Sequence, residues 1–135
     1  MLKKDIDACF DSDVGLVHTF VPTSEVQRKY TIKKSQEEVI QMAVEAVQYI
    51  KDNGRKCMFS AMDATRTEPE YLIEVFKAVQ EAGCDIINVP DTVGVMVPSA
   101  MYRQIKDIAA EIRIPIDVHC HNDFGLRCLL SACTL

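Results

Sequence analysis

Two histidines one residue apart, His119 and His121, stand inside the run 117–125, Asp-Val-His-Cys-His-Asn-Asp-Phe-Gly. The residues before them, 114–118, are apolar and β-branched, and Pro115 blocks a helix there, so the segment reads as a short strand. Side chains alternate across a strand, which puts His119 and His121 on one side. Two imidazoles at that spacing can act as neighbouring ligands of one divalent metal ion. The same pair can also serve as partly buried histidines that hydrogen-bond to their neighbours. Asn122, Asp123 and Gly125 then turn the chain.

Polar residues recur at comparable places upstream. His18, Ser60, Asn88 and His119 lie near the C-terminal ends of four apolar segments, and a spacing of two runs through each end: Ser60 with Met62, then Asn88 with Pro90 and Thr92. Inward polar groups at the mouth of a sheet are costly unless hydrogen-bonded or held against a ligand. As a set they point to a site, in which the Thr92 hydroxyl could hold a carboxylate oxygen. Asp63 and Asp91 fall on the opposite face by parity, and with Arg66 close by Asp63 reads as turn and ion-pair structure.

Residues 1–13 read as a helix end and a turn. Strands are expected at 14–21, 56–62, 85–89 and 114–118. The polar segment 25–34, with Arg28, Lys29, Lys33 and Lys34, reads as a loop or short helix with a solvated face. Ser35-Gln36-Glu37-Glu38 is a capping box opening a helix with Val39, Ala43, Ala46, Val47 and Ile50 inward, stopped at Asn53-Gly54. Thr67-Glu68-Pro69-Glu70 reads as a second box, before a helix that buries Leu72, Ile73, Phe76 and Val79 and ends at Gly83. Pro98 starts a further helix, with Met101, Ile105, Ile108 and Ile112 inward.

The order β-α-β-α-β-α-β, with polar residues at strand ends, predicts an α/β fold with a parallel sheet: four βα units of a (β/α)8 TIM barrel. A doubly wound sheet would show a glycine-rich turn after one strand, and none is present. A full barrel takes about 250 residues, so 135 residues make a partial barrel.

The net charge of −5, with Lys and Arg scattered, argues against a nucleic-acid partner. The chain lacks an apolar run of membrane-spanning length and a signal-peptide pattern. The cysteines Cys9, Cys57, Cys84, Cys120, Cys128 and Cys133 form no Cys-x-x-Cys and fit no usual zinc spacing, so reduced thiols in a cytoplasmic protein are expected.

Four stretches carry a resemblance. They are His18-Thr19-Phe20 with Thr23-Ser24; Phe59-Ser60-Ala61-Met62-Asp63-Ala64-Thr65-Arg66-Thr67; Asn88-Val89-Pro90-Asp91-Thr92-Val93-Gly94; and Val118-His119-Cys120-His121-Asn122-Asp123-Phe124-Gly125. Together they resemble the 2-isopropylmalate synthase family. That family lies in a wider group of metal-dependent barrel enzymes with homocitrate and citramalate synthases and hydroxymethylglutaryl-CoA lyase. The resemblance implies condensation of acetyl-CoA with 2-oxoisovalerate on the path to leucine, with a divalent ion (Mg²⁺, Mn²⁺ or Zn²⁺) as cofactor. It implies His119 and His121 as metal ligands on the seventh strand of the family barrel and Thr92 as a hydrogen-bond partner of the substrate carboxylate. His18, Ser60, Asn88 and Pro90 would line the pocket around the substrate's side chain.

Residues 1–126 would then be strands four to seven of that barrel, and 127–135 a divergent tail. Met62 stands where many members of the family carry Glu. The family's first-strand Asp and Arg, and a further ligand after its eighth strand, have no counterpart in these 135 residues, so the chain alone is expected to be inactive. Open parallel edges predict self-association. The competing readings are a homocitrate or citramalate synthase, a related acyl-CoA lyase or carboxyltransferase, and a truncated product without catalysis. A metal-dependent hydrolase carries its His-x-His on the first strand, whereas this pair lies near the C-terminal end of the sequence.

Overall fold

A computed structural model describes residues 3–126. The tail expected at 127–135, with Cys128 and Cys133, lies outside the described residues. The elements are α1 (Lys3–Asp11), β1 (Leu16–Pro22), α2 (Gln36–Asp52), β2 (Lys56–Met62), α3 (Pro69–Glu81), β3 (Ile86–Asp91), α4 (Pro98–Glu111) and β4 (Ile116–Cys120). A π-helical turn, Gln27–Ile32, and a 3-10 turn, Ala64–Arg66, lie between them.

The start and end of α2 follow from local chemistry. Ser35 caps α2 through a complete box, its hydroxyl accepting from the Glu38 amide while the Glu38 carboxylate accepts from the Ser35 amide. Beyond its other end Gly54 takes φ +72°, a conformation open to glycine without cost. The second box does not form. The N-cap of α3 is Glu68, with no side-chain cap bond, and Pro69 fills the first turn instead. Thr67 is drawn away: its hydroxyl donates to the Asp63 carbonyl at 2.9 Å and meets the Thr23 hydroxyl at 2.7 Å.

All four strands run parallel in the order β1-β2-β3-β4. Such pairing needs a crossover between successive strands, here α2, α3 and α4 in turn. The helices cover one face. Val17, Val21, Cys57, Phe59, Ala61, Ile87 and Val89 from the strands meet Val39, Val47, Leu72, Phe76, Val79, Met101 and Ile108 from the helices, all essentially without solvent contact. The other face has no cover among the described residues: Leu16 is 36% and Phe20 46% exposed there. Four βα units with one naked face are half of a closed barrel, whose interior would be that face.

Arg28 departs from the expected solvated face. It is buried, donates from Nε to the Thr23 carbonyl at 2.8 Å and from its guanidinium to Glu68 at 2.7 Å, and stacks over Tyr71. It ties the π-helical turn to the start of α3. Among the described residues no helix is long and apolar enough to cross a membrane. Cys9, Cys57 and Cys84 carry free thiols.

Candidate active site

Each strand contributes a polar side chain to one row across the uncovered sheet face. Ser60 and Asn88 are Cα partners in β2 and β3, and Asn88 and Asp117 are partners in β3 and β4. Their side chains touch along that row: Ser60 Oγ donates to Asn88 Oδ1 at 2.8 Å, and Asn88 Nδ2 donates to Asp117 Oδ2 at 2.5 Å. His18 sits opposite Met58 rather than Ser60, and reaches diagonally so that Nε2 lies 2.6 Å from Ser60 Oγ. His18 is therefore mid-strand, not at the C-terminal end of β1, but its side chain still joins the row. Packing around the ring pushes the His18 imidazole below the ordinary histidine range. Asp117 opposes that shift and His119 adds to it.

Pro90 pairs with His119 in the next row toward the strand ends. β4 stops at Cys120, but the His121 amide still donates to the Asp91 carbonyl at 3.4 Å, so the alternation of faces persists one residue further. The rings of His119 and His121 consequently stack, centroids 5.2 Å apart and planes 16° from parallel. Both residues are exposed on the uncovered side.

Two imidazoles that ligate one ion through bonds of about 2.0–2.1 Å must bring one nitrogen each within a few ångströms of the other, and the two rings stand side by side on one face of the sheet. Among the described residues no group of three or more His, Cys, Asp or Glu could hold an ion.

Thr92 lies beyond the end of β3, and its Oγ1 accepts from the Asp63 amide at 2.9 Å. Its hydroxyl proton remains available to an oxygen acceptor, because one hydroxyl both accepts and donates. Asp63 is the structural residue its parity implied. It is fully buried at φ +68°, accepts from Arg66 Nε and Nη2, and receives the Ser24 hydroxyl at 2.5 Å. Asp91, also buried, accepts from Thr65 and from the amides of Val95 and Met96, shaping the loop after β3. Met62 closes β2 as Cα partner of Pro22, half-buried.

That loop meets the turn after the histidines at Gly94. Its φ is +64°, and a Cβ built there would lie 2.2 Å from Asp123 Oδ2 and 2.9 Å from Asp123 Cβ. Gly94→Ala therefore displaces the turn that follows His121. Strain at a positive φ costs about 1–3 kcal/mol, so the urea midpoint should fall by a corresponding amount; an unchanged midpoint would show that the two loops do not press together.

The residue that sequence reasoning missed is Asp117. Its signal was the same spacing of two that singled out His119, read in the opposite direction along β4.

Comparison with known proteins identifies the family of the chain. A family profile described as HMGL-like matches residues 1–128. The chain belongs to the HMGL-like family. It is 92% identical over 126 residues to a probable 2-isopropylmalate synthase of Methanosarcina acetivorans, covering 93% of this chain and 24% of that protein. It is 60% identical over 125 residues to the 2-isopropylmalate synthase of Methanocaldococcus jannaschii, with 93% and 24% covered. Among solved structures, the hydroxymethylglutaryl-CoA lyase of Pseudomonas aeruginosa superposes with a TM-score of 0.84 at 21% identity, over 97% of this chain and 46% of that one. The fold is part of a TIM barrel, and the chain spans about a quarter of the length of the curated relatives it matches.

Proposed function

We propose that this chain is the portion of a 2-isopropylmalate synthase barrel that carries two metal-binding histidines and the pocket for a 2-oxo acid. The whole enzyme would condense acetyl-CoA with 2-oxoisovalerate, the step that commits carbon to leucine. The observation that carries this reading is the stacked His119–His121 pair beside the polar row on the barrel's inner face, in a sequence 92% identical to a probable synthase.

His119 and His121 would hold a divalent ion, Mg²⁺, Mn²⁺ or Zn²⁺, which as a Lewis acid supplies polarisation of a substrate carbonyl. Thr92 would donate its hydroxyl proton to the substrate carboxylate while Asp63's amide keeps the oxygen in place. Pro90, Asn88, Ser60 and His18 would form the wall facing the substrate's isopropyl group. Exclusion of water by that wall strengthens each polar contact inside it. The protein would reside in the cytoplasm, where free thiols persist.

A chimera tests the reading. With residues 1–126 substituted for the matching segment of the Methanosarcina acetivorans relative, thiol release from acetyl-CoA should persist and should prefer 2-oxoisovalerate over pyruvate and 2-oxoglutarate. An inactive chimera beside an active parent would refute it, and a preference for 2-oxoglutarate would move the assignment to homocitrate synthesis. The 135-residue chain alone should show no turnover, because it offers two ligands where metal sites use three or four protein donors or more.

The naked face and, among the described residues, the unpaired outer edges of β1 and β4 favour self-association, since exposed edges template further pairing. Sedimentation velocity should show dimers or larger species at micromolar concentration. A single monomeric boundary would contradict this.

A further inference from the structure

The row His18–Ser60–Asn88–Asp117 has one hydrogen bond between each neighbouring pair of strands. Its direction is set at one end. A carboxylate only accepts, so Asn88 must turn its Nδ2 toward Asp117 and its Oδ1 toward Ser60. A carbonyl oxygen also only accepts, so the Ser60 proton is committed to Asn88. The Ser60 oxygen then has only lone pairs to offer His18, and the ring nitrogen that meets it, Nε2, must carry the proton.

We propose that Asp117 is a positioning residue that, through Asn88 and Ser60, holds His18 three strands away as its Nε2–H tautomer. With that N–H consumed by Ser60, the neutral ring retains Nδ1, an acceptor, as its remaining polar atom. A ligand oxygen that needs a donor gains nothing from His18 and is repelled by the Nδ1 lone pair. Carbonyl and carboxylate oxygens are therefore directed to the other end of the site, toward Thr92 and the paired histidines, and an apolar group is left to face His18. This consequence for substrate orientation rests on the oxo-acid reading above, whereas the tautomer does not.

Nitrogen-15 spectra distinguish the two tautomers of an imidazole directly. The chain has three histidines, and His18→Gln identifies the His18 signals by their loss. Spectra of the sedimented, uniformly labelled full chain, recorded without metal or substrate, should show His18 solely as Nε2–H. Asp117→Asn gives the row an end that can donate as well as accept. The row can then run backwards, with Ser60 donating to Nε2, so a share of the Nδ1–H form should appear. Ser60→Ala cuts the row beside His18 and should likewise yield a mixture without altering either end. The proposal is overturned by an Nδ1–H signal for His18 in the parent, or by an unchanged single Nε2–H form in either folded variant. Because the readout involves neither catalysis nor metal, its failure is distinguishable from failure of the chimera.

Discussion

Replacing Phe59 with alanine should unfold the chain or reduce it to a loosely packed state. Phe59 is fully buried in β2 and meets the ring of Phe76 from α3 edge-on, with centroids 6.5 Å apart and planes at 85°. The loss combines the transfer of an aromatic ring out of a dry core with the cavity left behind, about 3–5 kcal/mol for Phe→Ala. Small domains hold only about 5–15 kcal/mol in total, so this loss is a large share of it. Urea denaturation followed by circular dichroism should show a collapsed midpoint or no cooperative transition. Tyr30→Ala, at a residue 78% exposed, should stay within about 0.5 kcal/mol of the parent. A cost below about 1 kcal/mol at Phe59 would mean that β2 and α3 do not pack as described.

The second large effect is expected at Arg66. Asp63 has no solvent exposure and is held by a forked pair of contacts from Arg66, whose own side chain is 40% exposed. Arg66→Met keeps the stem but leaves a buried carboxylate with the Ser24 hydroxyl as its remaining side-chain donor. Stranding a buried charge costs about 3–5 kcal/mol. Partial exposure of the Arg66 end places the expected loss at the lower bound, about 3 kcal/mol. Arg66→Lys should recover part of it, since an ammonium supplies charge without the planar fork. Asp63 also donates its amide to Thr92, so the damage should spread to the loop after β3. A loss below about 1 kcal/mol would show that Asp63 is satisfied without Arg66.

Much of this architecture was readable from local rules. β2 runs from Lys56 to Met62 as expected, and α2 opens on the box its sequence spells. The helix–strand alternation pointed to parallel pairing, because each connection carries a helix that spans the crossover parallel strands need. A period of two placed His119 and His121 on one side.

What escaped depends on contacts across the chain. Thr67 looked like a cap until Thr23 and the Asp63 carbonyl competed for its hydroxyl. Arg28 looked like one charge among several, yet Glu68, forty residues away, draws it inside. Asp117 could not be assigned a partner from sequence, since its bond to Asn88 depends on the register of β3 against β4. Thr92 lies past the last residue of β3, where alternation no longer decides direction, and there the Asp63 amide fixes it.

The most direct measurement of the metal-site assignment is the paramagnetic broadening of imidazole signals by Mn²⁺, which reports even weak binding by two ligands. Titrating Mn²⁺ into the 135-residue chain should broaden the ring resonances of His119 and His121 together and before any others, and His119→Ala should abolish the effect at His121. Broadening that begins at scattered surface carboxylates and spares both histidines, or that affects His121 equally when His119 is gone, would contradict the assignment of this pair as neighbouring ligands.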